Sequence, residues 1–245
     1  QSYRDVDLDD PDVIRRRQHT ANKILATLKA ALTFSHTHSE YRHLVPSDGA
    51  WTAVKPYRNV DVAKVRYLND KEARKLVKAC PDDLAAIVTG ALLTGARYSE
   101  LARLRCSDFN KSAGTLYVSE SKGGKPRHIA LTDEGVKFFA QAVKGKAEGD
   151  LIFVREIGTP WRSAHQYRPL KQACEKAGIS PVIGFHILRH TYASRLAMKA
   201  VPMVVIAQQL GHADTRITEK HYAHIAPSYV ADTVRASFGE MGLVK

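Results

Sequence analysis

The apolar residues of this chain follow helical spacing along most of its length, but one short segment changes to a period of two. Residues 115–118 and 127–131 alternate in polarity, and a connection with two adjacent glycines at 122–126 lies between them. Two alternating runs joined in this way predict an antiparallel β-hairpin. From Thr132 onward the helical pattern returns. The predicted fold class is therefore mainly α with a small antiparallel β-sheet, that is, α+β.

Two helix starts can be located in the larger part of the chain. Asn69 can cap a helix and Glu72 can bond back to it in a capping box, which predicts a helix that runs to Cys80. The apolar run at 84–93 predicts a second, buried helix that stops before Gly95. A further helix is expected just beyond this glycine.

The first part of the chain is too small to bury a core alone. Residues 20–37 repeat apolar side chains at helical spacing, which predicts an amphipathic helix that packs against something else. This helix and the stretch around Trp51 either dock on the main domain or end a helical domain. Residues 55–67 lack a period, contain a proline and are basic, as expected of a linker. The predicted organisation is residues 1–56 followed by a main domain at 57–245. The apolar face consists of Ile24, Leu25, Leu28, Ala31 and Leu32.

The positive charge is unevenly distributed. Residues 1–56 hold eight Lys and Arg against seven Asp and Glu, whereas residues 57–245 hold 29 against 18. Residues 57–245 therefore carry +11 of the net charge of +12. Because Lys and Arg neutralise phosphates in nonspecific nucleic-acid binding, a polyanion is the predicted partner. A basic surface that is merely well solvated is the alternative.

Cysteine usage and hydropathy exclude several classes of protein. Cys80, Cys106 and Cys174 are odd in number and form no Cys-x-x-Cys pair, so neither a disulfide framework nor a thiolate metal site is expected. No apolar run approaches the roughly 18 residues of a membrane span. The acidic N-terminus does not resemble a signal peptide. We therefore expect a cytoplasmic globular protein.

Four side chains suit the binding of a phosphate. His186 and Arg189 stand at i and i+3, so a helix would direct both toward one point. Arginine presents a planar fork that matches two phosphate oxygens. Arg97 is expected near a helix N-terminus, where the dipole favours an anion, and a helix from Arg97 would place Glu100, Leu101 and Leu104 on one face with it. His212 is expected to emerge at a helix end. The alternatives are an exposed arginine paired with Glu100 and ordinary surface histidines.

Tyr222 is the candidate nucleophile. A phenol has a pKa of about 10, so it reacts at neutral pH only when a base or a positive field acts on it. His186, His212 and the two arginines could supply that field. The alternative is an amphipathic tyrosine at the edge of a core.

In their order along the chain, these segments resemble the tyrosine recombinase family, particularly phage-type integrases. The resemblance covers about residues 55–225, with weaker similarity upstream to about Thr20. Ala130 replaces a common proline and Ile187 a common aspartate. The matching segments are 94–101 with the first arginine, 121–127 with the lysine of a hairpin, 186–194 with a histidine and the second arginine, 210–212, and 218–224 with the tyrosine.

The resemblance implies the fold of the DNA breaking-rejoining enzymes and a role for each matched residue. Arg97 and Arg189 would clamp the non-bridging oxygens of the scissile phosphate. Tyr222 would attack phosphorus and form a 3′-phosphotyrosyl link with a free 5′-hydroxyl. Lys122 would protonate the leaving oxygen, with Lys125 as a rival.

The remaining matched residues are expected to assist. His186 would help to move the tyrosine proton, and His212 would hydrogen-bond the phosphate. Glu100 and His190 are expected to support Arg97 and the helix face without taking part in the chemistry. The resemblance implies neither ATP nor a metal ion.

The implied partner is double-stranded DNA, bound by a synaptic tetramer. An amphipathic helix at 227–238 would either pack on its own domain or dock on a neighbouring protomer. The resemblance also implies accessory DNA-bending or excision factors as partners, and the acting protein would be associated with a bacterial nucleoid. Because the resemblance starts inside the helical core-binding domain, the chain is expected to be a fragment.

Two other functions are retained as alternatives. One is a non-catalytic DNA-binding module of the same fold. The other is a metallohydrolase, in which imidazole ligands would come from the five late histidines. The pair at i and i+4 lacks the intervening carboxylate of hydrolytic zinc helices, and the two arginines would have no role. These histidines are His186, His190, His212, His221 and His224.

Overall fold

The structure is a computed structural model that describes residues 10–60, 66–119 and 126–225. The chain divides into two compact units after residue 63. The boundary predicted after residue 56 falls in the same predicted linker, and the assignment of the two parts to a core-binding and a catalytic domain stays a prediction.

The first unit contains one long helix and one short helix, α1 (Pro11–Thr37) and α2 (Gly49–Thr52). The helix predicted at 20–37 is confirmed and begins earlier, at Pro11. Trp51 is buried in this unit, and its indole nitrogen donates to the Thr33 hydroxyl at 3.1 Å. Ile24 and Leu28 remain 65% and 52% exposed. The described residues therefore leave much of the predicted apolar face uncovered.

The first helix of the second unit begins where its capping box predicts. The capping box between Asn69 and Glu72 is formed in both directions at 2.9 Å. The next helix ends at Thr94, and the positive φ of 64° at the following residue, Gly95, closes it. The helices are α3 (Asp70–Ala79), α4 (Asp82–Thr94), α5 (Tyr98–Leu101), α6 (Asp133–Ala142), α7 (Tyr167–Ala177), α8 (Phe185–Met198), α9 (Met203–Leu210) and α10 (Thr215–Tyr222).

One predicted helix is shorter than expected. α5 starts after Arg97 but ends at Leu101, so it does not reach Leu104. Leu104 is buried, and its carbonyl accepts a hydrogen bond from the backbone nitrogen of Ile152 at 2.8 Å. This long-range backbone bond gives Leu104 a partner outside the helix.

The predicted hairpin is confirmed as part of a three-stranded antiparallel sheet in the order β1-β2-β3. Leu116 pairs with Ile129 and Val118 with Arg127, and all four side chains are buried. The first strand was not predicted because two residues are too few to show a period. The connection that carries Lys122 and Lys125 lies outside the described residues. The strands are β1 (Phe109–Asn110), β2 (Thr115–Val118) and β3 (Arg127–Ala130).

Helix α8 lies at the centre of the second unit. It packs against α4, and Phe185 and Leu188 belong to the main hydrophobic core. Ala193 and Ala197, further along α8, belong to a second buried cluster together with Tyr222. A helix that is held on both sides by apolar packing gives its polar residues fixed positions.

The predicted helix at 227–238 lies outside the described residues. Among the described residues, none of the helices combines the length and the apolar character that a membrane span requires.

Candidate active site

Three candidate side chains project from the first turns of α8. His186 is exposed, Arg189 is only 3% exposed, and His190 is half-buried. The pair at i and i+3 lies on one helix, as its spacing predicted. Phe185, Leu188 and Arg189 are all buried, whereas His186 reaches the surface.

Arg189 is held by two backbone carbonyl groups. Its Nη1 donates to the Gly95 carbonyl at 2.9 Å and its Nη2 to the Leu210 carbonyl at 2.7 Å. Both acceptors lie at the C-terminal ends of helices, where carbonyls need donors. Burial, and then the charge of Arg97, lower the pKa of Arg189 to about 10. The guanidinium therefore stays charged at neutral pH and has further N–H groups for an anion.

Arg97 stands at the N-terminus of α5 and is tied to Glu100. Its Nη1 lies 2.9 Å from Glu100 Oε1, and its backbone nitrogen donates to Oε2 at 2.8 Å. The turn before it requires Gly95, because an added Cβ would meet the Tyr192 ring and the left-handed φ disfavours other residues. Arg97 follows two residues after Gly95, whose carbonyl accepts a hydrogen bond from Arg189.

Glu100 is a buried carboxylate shared by two arginines. Its side chain is 1% exposed, and it also accepts from Arg127 Nη2 at 2.8 Å and Nη1 at 3.2 Å. Burial alone would raise its pKa, but the hydrogen bonds and charge of Arg127, then those of Arg97, lower the pKa to about 2. Glu100 thus bonds to both the backbone and the side chain of Arg97, and its role as a support for Arg97 stays a prediction.

Sequence reasoning assigned no role to Arg127, although the hairpin motif contains it. Arg127 is 9% exposed, at the start of β3, and its Nε donates to the Gln209 carbonyl at 3.0 Å. The sequence pattern of β3 could have indicated that Arg127 is buried, because its alternation places residue 127 on the same face as the buried Ile129. A charged residue on the buried face of a strand requires a specific partner.

His212 follows Gly211 at the end of α9, as predicted. Gly211 has a φ of 67°, and His212 Nδ1 lies 2.7 Å from the Thr218 hydroxyl. Burial, then Arg189 and Arg97, lower the pKa of His212 to about 4. The same three causes, in that order, lower the pKa of His186. His212 is therefore a neutral imidazole at neutral pH.

Tyr222, the last residue of α10, is 1% exposed, and its hydroxyl lies 2.5 Å from His190 Nδ1. Burial raises the pKa of Tyr222 to about 12 against the lowering effect of Arg189. Burial, then His186, lower the pKa of His190 to about 4. The tyrosine proton was expected to be handled by His186, with His190 only supporting the helix. In the structure the direct contact with the phenol is made by His190.

Arg97, His186 and Arg189 line one open cavity of about 530 Å³. Gln166 and Tyr167, at the start of α7, form a second part of the wall. The residues just before α8 form a third part. Two guanidinium groups that face one cavity form a site for an anion with two free oxygens. Lys122 and Lys125 lie outside the described residues. In the described parts of the chain, no group of three or more His, Cys, Asp or Glu side chains is arranged to hold a metal ion.

Comparison with known proteins gives matches over most of this unit. The model of the phage integrase family matches residues 66–228. The integrase of Escherichia phage 186 is 29% identical over 198 residues, which cover 76% of this chain and 54% of that protein. Tyrosine recombinase XerA of Saccharolobus solfataricus is 29% identical over 171 residues, covering 69% and 56%. The chain spans about half the length of these curated relatives.

Solved structures have the same fold. The catalytic domain of bacteriophage HP1 integrase is 27% identical with a TM-score of 0.56, covering 71% of this chain and 96% of that one. The Tn1549 transposon integrase in complex with a circular intermediate DNA is 19% identical with a TM-score of 0.69, covering 89% and 79%. These similarities confirm the predicted fold, a mainly helical domain with a small antiparallel sheet.

Proposed function

Since this chain belongs to the phage integrase family, with 66–228 matching the family model, we propose that it is a site-specific tyrosine recombinase that cleaves and rejoins double-stranded DNA. The observation that carries this function is the convergence of Arg97, His186 and Arg189 on one cavity. The buried hydroxyl of Tyr222 bonds to His190, which is the next residue after Arg189.

The two arginines bind the scissile phosphate. Each donates to a non-bridging oxygen, and both stabilise the extra negative charge of the pentavalent transition state. Because Arg189 is held by two carbonyls and Arg97 by Glu100, their N–H groups are oriented before DNA arrives. Preorganised donors of this kind are each worth about 10²–10³ in rate.

Tyr222 supplies the nucleophile. Its phenolic oxygen forms a bond to phosphorus while the bond from phosphorus to the 5′ oxygen breaks, which leaves a 3′-phosphotyrosyl link. Lys122 protonates the leaving 5′ oxygen, and His212 hydrogen-bonds the phosphate. His186 assists in the transfer of the phenol proton. Attack of a 5′-hydroxyl on the link reseals the strand.

The exchange needs no external energy source. One phosphodiester is exchanged for another, so ATP is not required. The paired arginines supply the positive charge at phosphorus, and we propose no cofactor and no metal ion.

The reaction requires Tyr222 to leave its buried position. Its hydroxyl bonds to His190, and its ring lies in the apolar cluster of α8 and α9. The charge of Arg189 already acts on the phenol, but at 1% exposure the side chain must be uncovered by a movement of α10 before its hydroxyl can meet a phosphate. The proposed active form therefore differs from the described arrangement in the placement of α10.

The proposed partners follow from this chemistry. Recombination exchanges four strands, so a tetramer assembles on two DNA sites, and residues 227–238 dock on a neighbouring protomer. DNA-bending or excision factors assist, and the protein acts on nucleoid DNA in the cytoplasm.

A covalent-capture assay tests the chemistry. The chain is incubated in EDTA with a pool of nicked duplexes of randomised sequence, and covalent adducts are separated on a denaturing gel. We expect a DNA-linked band with the wild type and none with Tyr222→Phe, and the captured duplexes give the target sequence. A band that persists in Tyr222→Phe would contradict the assignment of the nucleophile.

The burial of Tyr222 favours one second candidate, a DNA-binding module without strand cleavage. Binding of the pool by the wild type with no adduct would support this module and overturn the recombinase.

A further inference from the structure

Arg127 occupies a buried position between three segments of the proposed active site. It begins β3, it bonds to Glu100 behind Arg97, and it bonds to the Gln209 carbonyl. Unlike Arg189, it does not line the cavity of about 530 Å³, and its Nε, Nη1 and Nη2 atoms donate to Gln209 and Glu100. Any effect of Arg127 on the reaction must therefore pass through the groups that it contacts.

The first of these groups is the carboxylate of Glu100. Arg127 and Arg97 share this one negative charge, with Nη2 of Arg127 at 2.8 Å from Oε2 and Nη1 of Arg97 at 2.9 Å from Oε1. Because two guanidinium groups share one carboxylate, the cluster of Arg97, Arg127 and Glu100 has a net positive charge that attracts a phosphate. Without Arg127, the buried carboxylate would have Arg97 as its remaining described ion-pair partner and would draw that guanidinium inward.

The second group is the turn that carries His212. Arg127 holds the Gln209 carbonyl and Arg189 holds the next one, at Leu210. A Cβ on Gly211 would lie 2.8 Å from Arg127 Nη1 and 2.9 Å from its Cδ. The arginine side chain thus packs directly on the backbone of this turn, and two guanidinium groups fix the end of α9.

The third segment is the hairpin. Arg127 pairs with Val118 across β2 and β3 and comes directly after the connection that contains Lys122. The position of the strand end is therefore tied to Glu100 and to the turn at 209–211.

We propose that Arg127 is a positioning residue for strand cleavage, which aligns Arg97 with His212 by sharing Glu100 and by holding the turn at 209–211. This role rests on the proposed recombinase function. Lysine at this position can keep the charge and one bond to Glu100. It cannot at the same time replace the bidentate hydrogen bonds to the Glu100 carboxylate and the hydrogen bond from Nε to the Gln209 carbonyl.

The test separates alignment from folding and from DNA binding. Arg127→Lys and Arg127→Met are compared with wild type in single-turnover cleavage of a captured duplex at saturating protein. DNA affinity and the thermal unfolding midpoint are measured in parallel. Arg195→Lys is the matched control, since Arg195 also forms an ion pair in this unit, with Asp70, but at an exposed position.

We expect Arg127→Lys to remain folded and to bind DNA within about threefold of wild type, but to cleave about 10²-fold more slowly, as for a misplacement of about 1 Å. Arg127→Met should be slower still, and Arg195→Lys should cleave at the wild-type rate. Cleavage by bound, folded Arg127→Lys at the wild-type rate would overturn the positioning role. A loss of cleavage no larger than the fraction of Arg127→Lys that is unfolded would overturn it as well. A wild type that binds but forms no adduct would overturn the recombinase function instead.

Discussion

The Nδ1 atom of His190 lies 2.5 Å from the hydroxyl of Tyr222, and this contact joins α8 to the last residue of α10. The pKa of the phenol is raised to about 12 and that of the imidazole is lowered to about 4. Proton transfer from the phenol to this imidazole is therefore strongly uphill. In this arrangement His190 holds Tyr222 in place without activating it.

Replacement of His190 by leucine should accelerate cleavage. His190→Leu leaves the buried hydroxyl of Tyr222 without this partner, which disfavours the buried position by about 1–3 kcal/mol. We expect a several-fold rise in the single-turnover cleavage rate, because more of the protein has Tyr222 released. A tenfold fall in rate at unchanged folding would instead make His190 a participant in the chemistry. His190→Leu combined with Tyr222→Phe serves as the inactive control.

Replacement of Arg189 by lysine should impair both cleavage and stability. An ammonium group cannot hold the Gly95 and Leu210 carbonyls in the same geometry and also bind a phosphate. We expect a loss of about 10²–10³ in cleavage rate, and destabilisation of about 1–3 kcal/mol from the unpaired buried carbonyls. Gel-based cleavage and urea unfolding measure the two effects, with Arg195→Lys as the control. Wild-type cleavage by Arg189→Lys would remove Arg189 from the proposed mechanism.

Stability should depend on pH through Glu100. Its pKa in the folded protein, about 2, lies below its usual value of 4.5. The carboxylate therefore contributes stability above about pH 4.5, and this contribution is lost as the pH falls from 4.5 toward 2. The shift corresponds to about 3 kcal/mol. Urea unfolding between pH 7 and pH 3 should show a steeper loss for wild type than for Glu100→Gln, and equal slopes would contradict the assignment.

Two glycines that end helices should respond differently to alanine. Gly211 and Gly178 have φ values of 67° and 68°, but only at Gly211 does an added Cβ meet another group, the side chain of Arg127. We expect Gly178→Ala to lose about 1–2 kcal/mol from the left-handed backbone alone, with normal cleavage by the folded protein. Gly211→Ala should be less stable and should also cleave more slowly at equal folded fraction. Equal effects of the two substitutions on stability and cleavage would mean that Arg127 adapts freely.

Sequence patterns predicted the local features of the fold well. The capping box of Asn69 and Glu72 depends on residues three apart, and the hairpin depends on an alternating period. The pair His186 and Arg189 needed only a helix to share a face. Each of these features is decided within one or two neighbouring elements, so residue type and spacing suffice. The order of the reactive segments pointed to the family that the comparison confirms.

The contacts between distant segments were not predictable in this way. His190 meets Tyr222 across 32 positions, and Arg127 meets Gln209 across 82. Periodicity records whether a side chain is buried, but it carries no information about which side chain from another element will face it. That choice depends on how α8, α9, α10 and β3 pack around the buried residues. The sequence therefore specified the reactive groups and their order, whereas packing chose His190 as the partner of the tyrosine and Arg127 as the partner of Glu100.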